Sequence, residues 1–141
     1  MKKGLKITLI VVATIIVLIV AAYLYVRFMP EKSVSKVNAD FVVTSEALAN
    51  EYNANPEVSD QKYIDRVIEV TGTIAEISKD QDNATVFILR EENSMNGVLC
   101  TLENSSAKKA AKYKVGSKVT IKGTCTGMLL EVVLHKCVIV K

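Results

Sequence analysis

Residues 7–26, ITLIVVATIIVLIVAAYLYV, run for 20 positions without a charge, and nothing else in the chain limits its fold so tightly. As a helix the run reaches about 30 Å, the thickness of a bilayer's hydrocarbon core. Ile, Val and Thr dominate it, but in lipid the backbone must satisfy its own hydrogen bonds, and helix is the single-segment solution. A buried core helix is excluded, because the run has no polar face. Tyr23, Tyr25 and Phe28 cluster at the far end, where amphipathic rings favour the headgroup region. Lys2, Lys3 and Lys6 precede the span, whereas Arg27 and Lys32 follow it. That asymmetry predicts a single-pass cell-membrane protein with its N-terminus cytoplasmic and its C-terminal domain extracytoplasmic, that is, periplasmic. The competing reading is a cleaved signal peptide, with Val20-Ala21-Ala22 as the small-residue site. Its apolar region, 7–20, would be at the long end, and no Pro or Gly interrupts the helix before the cut. The uncleaved anchor is favoured.

The span divides the chain into an anchor at 1–28, a polar linker at 29–40 (MPEKSVSKVNAD) and a domain at 41–141. The full length is 141 residues, which leaves room for one modest domain. With 50% hydrophobic and 23% charged residues, the chain as a whole is not disordered.

Two short helices open the domain. Thr44 can cap one whose Leu48 and Tyr52 share a face, with Val43 packing on Leu48 ahead of the cap. Asn55-Pro56-Glu57 starts the second, with Pro tolerated in the first turn. From Tyr63 the period becomes two: Ile68, Val70, Gly72 and Ile74 point one way, Glu69, Thr71, Thr73 and Ala75 the other. Ile77 breaks the parity, which predicts a bulge or bend in a long first strand. A turn at 79–83, a second strand at 84–90, a loop ending Asn96-Gly97 and a third strand at 98–102 follow. Ser105 to Lys112 predicts a helix. A fourth strand runs from Lys118 to Thr126. A tight turn is expected at Gly127-Met128, then a last strand to Val140.

Three strands, a helix and two strands give a mainly β fold, the five-stranded OB-fold Greek-key barrel, with short N-terminal helices and one transmembrane helix ahead of it. A sandwich needs more strands, and a parallel α/β sheet needs long crossover helices that are absent. Tyr63-x4-Ile68-Glu69-Val70-Thr71-Gly72-Thr73-Ile74, Val98-x-Cys100, Gly116-x2-Val119-Thr120-Ile121-Lys122-Gly123-x-Cys125-Thr126-Gly127 and Val132-Val133-Leu134-x2-Cys137 resemble the tRNA anticodon-binding-like (tRNA_anti-like) OB-fold family of bacterial envelope proteins. The resemblance spans about Thr44 to Val140. It implies an OB-fold and a bacterial source, but no tRNA binding.

The net charge of +3 invites a nucleic-acid reading. Setting aside Lys2, Lys3, Lys6 and Arg27 leaves 14 basic residues against 15 acidic ones, or −1. OB-folds grip oligonucleotides over strands 2–3 and the flanking loops. Here the loop after strand 1 carries Asp80 and Asp82 against Lys79, and the loop after strand 2 carries Glu91 and Glu92. A cationic groove with stacking aromatics is required, and near this face Phe87 is the aromatic at hand. A basic stripe, Lys108, Lys109, Lys112, Lys114 and Lys118, reads as a solvated face. Nucleic acid is therefore disfavoured.

Cys100, Cys125 and Cys137 fall at core-facing positions, with a bulge near His135-Lys136 restoring the phase of the last. They read as small buried hydrophobes, or as a disulfide in an oxidising compartment. Strands 3 and 5 are neighbours where an OB barrel closes, so Cys100–Cys137 is the better geometric pairing; a turn at Gly127 would place Cys125 seven positions from Cys137. No metal or cofactor is expected, since there is no C-x-x-C pair and His135 has no second His. Asp80-x-Asp82-Asn83 lacks the Gly and Glu of a calcium loop. No phosphate loop, nucleophile elbow or triad appears, which speaks for a binding module and against an enzyme. The predicted ligand face comprises Lys79, Asp80, Asp82, Phe87 and the hairpin tip Met128-Leu129, contacting a protein partner in the cell envelope. The alternatives are an oligosaccharide or small molecule on the sheet face, and nucleic acid.

Overall fold

Apolar side chains at every second position between residues 68 and 74 make one face of a long strand inward, and the barrel is built around it. A computed structural model describes residues 2–28 and 34–140. It divides into two units, one ending at Glu31 and the other running from Lys32.

The first unit is a single helix, α1 (Lys2–Arg27), with none of its residues buried. Thr8 and Thr14 turn their hydroxyls back to the carbonyls of Gly4 and Ile10, which satisfies those polar groups within the helix itself.

The second unit opens with a 3-10 turn at Val34–Lys36. Val34 is 4% exposed, and Lys122 Nζ donates to the carbonyl oxygen of Val37 at 2.7 Å. The packing of the barrel thus reaches back into the segment expected to be linker; residues 29–33 of that segment lie outside the described residues. β1 (Phe41–Thr44) leads directly into α2 (Ser45–Ala54), and α3 (Pro56–Tyr63) follows. The caps are those expected: Thr44 Oγ1 accepts from Ala47 N at 3.2 Å and Asn55 Oδ1 from Val58 N at 3.2 Å. β1 was not foreseen, because its four residues are consumed by the capping signal.

The strands are β2 (Val67–Lys79), β3 (Thr85–Leu89), β4 (Val98–Leu102), β5 (Lys118–Met128) and β6 (Val132–Ile139). The first half of β2 pairs antiparallel with β5, from Val67 opposite Thr124 to Thr73 opposite Lys118. Its second half pairs with β3. The register shifts between Ile74 and Glu76, so the expected bend is present. β3 and β4 are antiparallel, β4 and β6 parallel, β5 and β6 antiparallel. The β2–β5 pairing closes this circle into a five-stranded barrel, and β1 lies parallel on β2 as an extra strand. This is the OB-fold, with its helix between strands three and four reduced to a 3-10 turn (Asn104–Ser106) and one turn of α4 (Ala107–Ala110).

Ile68, Val70, Ile74, Phe87, Leu89, Val98, Cys100, Ile121, Leu134 and Cys137 fill the interior. Leu48, Tyr52 and Tyr63 of α2 and α3 complete the same core. One end of the barrel carries α4 and the start of β5. The other carries the β3–β4 loop and the β5–β6 hairpin.

The hairpin turn differs from expectation. Gly127 and Met128 belong to β5, with Met128 opposite Val132, and the chain reverses over Leu129-Leu130-Glu131. Gly127 has φ +114 and sits at a register shift between Cys125 and Gly127. A β-carbon there would touch Asp60 and Ile64. The glycine therefore serves a strand irregularity, not the turn.

Candidate functional site

The predicted ligand-face residues do not converge. Asp80 Oδ1 accepts from Asp82 N and Ala84 N, both at 2.9 Å, so that carboxylate builds the β2–β3 turn. Asp82 is exposed in the same turn. Lys79 Nζ donates to Thr85 Oγ1 at 3.2 Å. Phe87 is fully buried and meets Tyr113 edge-on, with ring centroids 6.4 Å apart; it is a core residue and offers no stacking surface. Met128 is half-buried against the core. Of the expected tip residues, Leu129 is in the open, together with a neighbour that was not singled out, Leu130.

These two leucines have an unforeseen companion. Leu129 is 87% exposed, Leu130 82% and Met95, in the β3–β4 loop, 93%. Asn96 Nδ2 donates to the Leu130 carbonyl oxygen at 2.6 Å, tying loop and hairpin together. Glu131 fixes the base of the turn. One carboxylate oxygen meets the Arg90 guanidinium at 2.5 Å, and the other accepts from Gly97 N. The Arg90–Glu131 pair spans Gly97, where a β-carbon would collide with the Leu89 carbonyl. Three large apolar side chains are thus held in water by a polar frame.

Two further surfaces adjoin this end. A groove of about 400 Å³ is lined by Glu46, Thr73, Arg90, Glu91, Glu92, Asn93 and Ser94; the lining holds three carboxylates and one arginine, which is already paired with Glu131. Across the outer sheet face, Ile88 stands opposite Leu99 and Leu99 opposite Val133, all half-buried. The row is aliphatic. Among the described residues of the barrel no aromatic ring is exposed.

The three cysteines are buried free thiols. Cys100 and Cys137, expected as a pair, lie on the neighbouring strands β4 and β6, opposite Leu134 and Leu102; burial, and then Cys100, push the Cys137 thiol well above its ordinary value of 9.0. Gly123 leaves the space that the Cys137 sulfur occupies. The bulge that brings Cys137 inward is visible: Lys136 has φ +54, and the β5–β6 register shifts across Lys122 and Thr124. Cys125 lies opposite Leu134, and its sulfur is 3.5 Å from the Tyr52 hydroxyl. Burial, followed by Cys125, raises the Tyr52 phenol. Among the described residues no group of three or more His, Cys, Asp or Glu is placed to hold a metal ion.

The structure thus places a closed OB barrel after an apolar N-terminal helix. The family model tRNA_anti-like matches residues 1–139, and the chain belongs to that family, one of OB-fold binding domains. A lipoprotein of Klebsiella pneumoniae, provisionally named as nucleic acid-binding, has the same fold: TM-score 0.59, 18% identity, 79% of this chain and 99% of that one covered. An aspartyl-tRNA synthetase of Leishmania major, also provisionally named, aligns at TM-score 0.43 and 12% identity, covering 79% of this chain and 22% of its own. No curated protein sequence matches.

Proposed function

We propose that this protein is a membrane-anchored, extracytoplasmic binding module whose barrel engages a protein partner in the cell envelope through Met95, Leu129 and Leu130. Residues 1–28 are the anchor, with the N-terminus cytoplasmic, and the barrel lies on the outer side. One observation carries the reading: three large apolar side chains, 82–93% exposed, are fixed by Asn96, Arg90 and Glu131 at one end of the barrel. Leucines in a hairpin turn break local turn preference and gain nothing from folding. Such local conflicts are expected at functional sites, and exposed apolar clusters mark contacts.

The name of the Klebsiella neighbour suggests nucleic acid as a competing ligand. Single strands need bases stacked on aromatic rings in a cationic groove. The barrel's rings are buried or half-buried, and the groove beside the apolar end is lined by carboxylates. Both features weigh against it.

The test is the pair Leu129→Ser and Leu130→Ser in the full chain, expressed in its native membrane. The doubly substituted protein should remain membrane-bound and folded yet lose a stoichiometric partner that survives detergent purification of the native chain. A partner retained at full stoichiometry would contradict the assignment. A reporter fused to the C-terminus and active only in the cytoplasm would contradict the topology.

A further inference from the structure

Asn96-Gly97 ties the β3–β4 loop to the leucine turn through two amides. The Asn96 side-chain amide donates to the Leu130 carbonyl oxygen at 2.6 Å, and the Gly97 backbone N–H donates to Glu131. Arg90 holds the other oxygen of that carboxylate at 2.5 Å. Of the chain's eight asparagines, Asn96 alone precedes a glycine. The barrel leaves no choice at 97, because a β-carbon there would collide with the Leu89 carbonyl. Asparagine before glycine is the pair most prone to cyclise, since no side chain shields the glycine nitrogen. In the folded frame both reacting groups are restrained: the attacking nitrogen is bonded to Glu131, and the amide it would attack is anchored on Leu130.

We propose that Asn96 is a self-modification site, guarded by Glu131, whose conversion to aspartate or isoaspartate disconnects the loop from the leucine turn. The consequence for binding rests on the reading of Met95, Leu129 and Leu130 as the contact; the chemistry does not. The step begins when the hairpin opens locally and frees the Gly97 amide. Gly97 N bonds to the Asn96 side-chain carbonyl carbon, the Cγ–Nδ2 bond breaks, and ammonia leaves with the Gly97 proton. Water then opens the succinimide at either carbonyl and leaves a carboxylic acid, with nothing oxidised or reduced. A carboxylate at 96 has no hydrogen to give the Leu130 carbonyl oxygen. It also sets a second negative charge near the carboxylate that binds the next residue. Isoaspartate further routes the main chain through the former side chain and lengthens the loop. The barrel core is untouched, because Asn96 is only half-buried and makes no part of it.

The experiment incubates the full chain in detergent, in mildly alkaline buffer made with oxygen-18 water, and reads each asparagine by peptide mass. Asn96 should convert slowly in the native chain. In urea, and in Glu131→Ala, it should convert about tenfold faster or more, the worth of one hydrogen bond. The product should carry the label and contain both aspartate and isoaspartate. Asn93 and Asn104, each followed by serine, should lag behind Asn96 in urea. Asn96→Asp supplies the product without the reaction. It should keep its thermal midpoint, lose partner capture, and exchange the Leu129 and Val132 amide hydrogens about tenfold faster; those amides now bond the carbonyls of Glu131 and Gly97, both at 3.1 Å. Equal conversion of Asn96 in the native, urea-treated and Glu131→Ala chains would overturn the guard. Aspartate as the sole product would overturn the cyclisation, and unchanged exchange in Asn96→Asp would overturn the disconnection. Should Leu129→Ser with Leu130→Ser keep the partner while Asn96→Asp still exchanges faster, the contact reading fails and the modification site stands.

Discussion

Gly97 shows what a single residue holds in this barrel. Arg90 on one side and Glu131 on the other meet across it, and Glu131 also accepts its amide hydrogen. Gly97→Ala drives a methyl into the Leu89 carbonyl, and overpacking of this kind costs about 1–3 kcal/mol; urea unfolding in detergent should show a loss of that size. Ionisation tells a second residue-scale story. Glu51 accepts from the Tyr63 hydroxyl at 2.8 Å and from Lys62 at 3.0 Å, and the Tyr63 bond first, then Lys62, hold its carboxyl below its ordinary 4.5. A lowered carboxyl contributes stability above its unfolded value and loses it as pH falls through the folded one. The Cys137 thiol, raised by burial and by Cys100, has the opposite sense: its contribution is present below 9.0 and lost as pH climbs above it. The thermal midpoint should therefore be flat from the carboxylate range to about pH 8.5 and fall on both sides. Tyr63→Phe should move the Glu51 carboxyl toward 4.5 in a carbon-13 titration. The same burial predicts that all three thiols resist alkylation in the native protein and react once urea unfolds it.

Residues such as these were unevenly legible. Cys137 could be placed inward from the strand's broken phase, and its bulge is there. Phe87 could not be placed, because Val86-Phe87-Ile88-Leu89 is continuously apolar and carries no alternation from which to read a face. Met95 was invisible: a lone methionine in a polar loop becomes notable only when Asn96 ties that loop to the leucine turn.

At the scale of elements, the barrel strands and both N-terminal caps were readable from period and capping chemistry. The β5–β6 turn was not. Gly127 is the strongest local turn signal, yet it serves a bulge over Asp60 and Ile64. The actual turn is Leu129-Leu130-Glu131, held from outside by Asn96, Arg90 and the Gly97 amide. Sequence rules see local propensity, and this turn is fixed by tertiary bonds. Glu131→Ala removes two of the three and should cost about 1–2 kcal/mol, the lower end applying because Arg90 keeps partial access to water. Hydrogen exchange at Val132 and Val133 should quicken at least tenfold. By contrast, Leu129→Ser and Leu130→Ser alter exposed side chains and should shift stability by less than about 0.5 kcal/mol. The hairpin can then be tested for binding without being tested for folding.

At the largest scale, that of the whole barrel unit, charged and exposed apolar side chains are unevenly placed. Exposed lysines of α4 and the start of β5 share one end with Asp80 and Asp82 of the β2–β3 turn, and apolar side chains gather at the far end of the β5–β6 hairpin, beside a carboxylate-lined groove. The fold class, the helix length and the near-neutral barrel were legible from sequence, since each is a sum over many residues. That placement was not, because it depends on which end of the barrel each loop occupies. If α1 is an anchor, alkaline carbonate should leave the full-length chain in the membrane pellet, beginning at Met1; release of a chain beginning at Tyr23 would mean a cleaved leader.

The most direct test of the binding surface is a photo-crosslinking residue at Leu130 in native membranes, with His135 on the same strand as the control position. The account predicts a discrete adduct at Leu130, absent at His135, removed by protease and resistant to nuclease. An adduct removed by nuclease, or equal labelling at both positions, would contradict it.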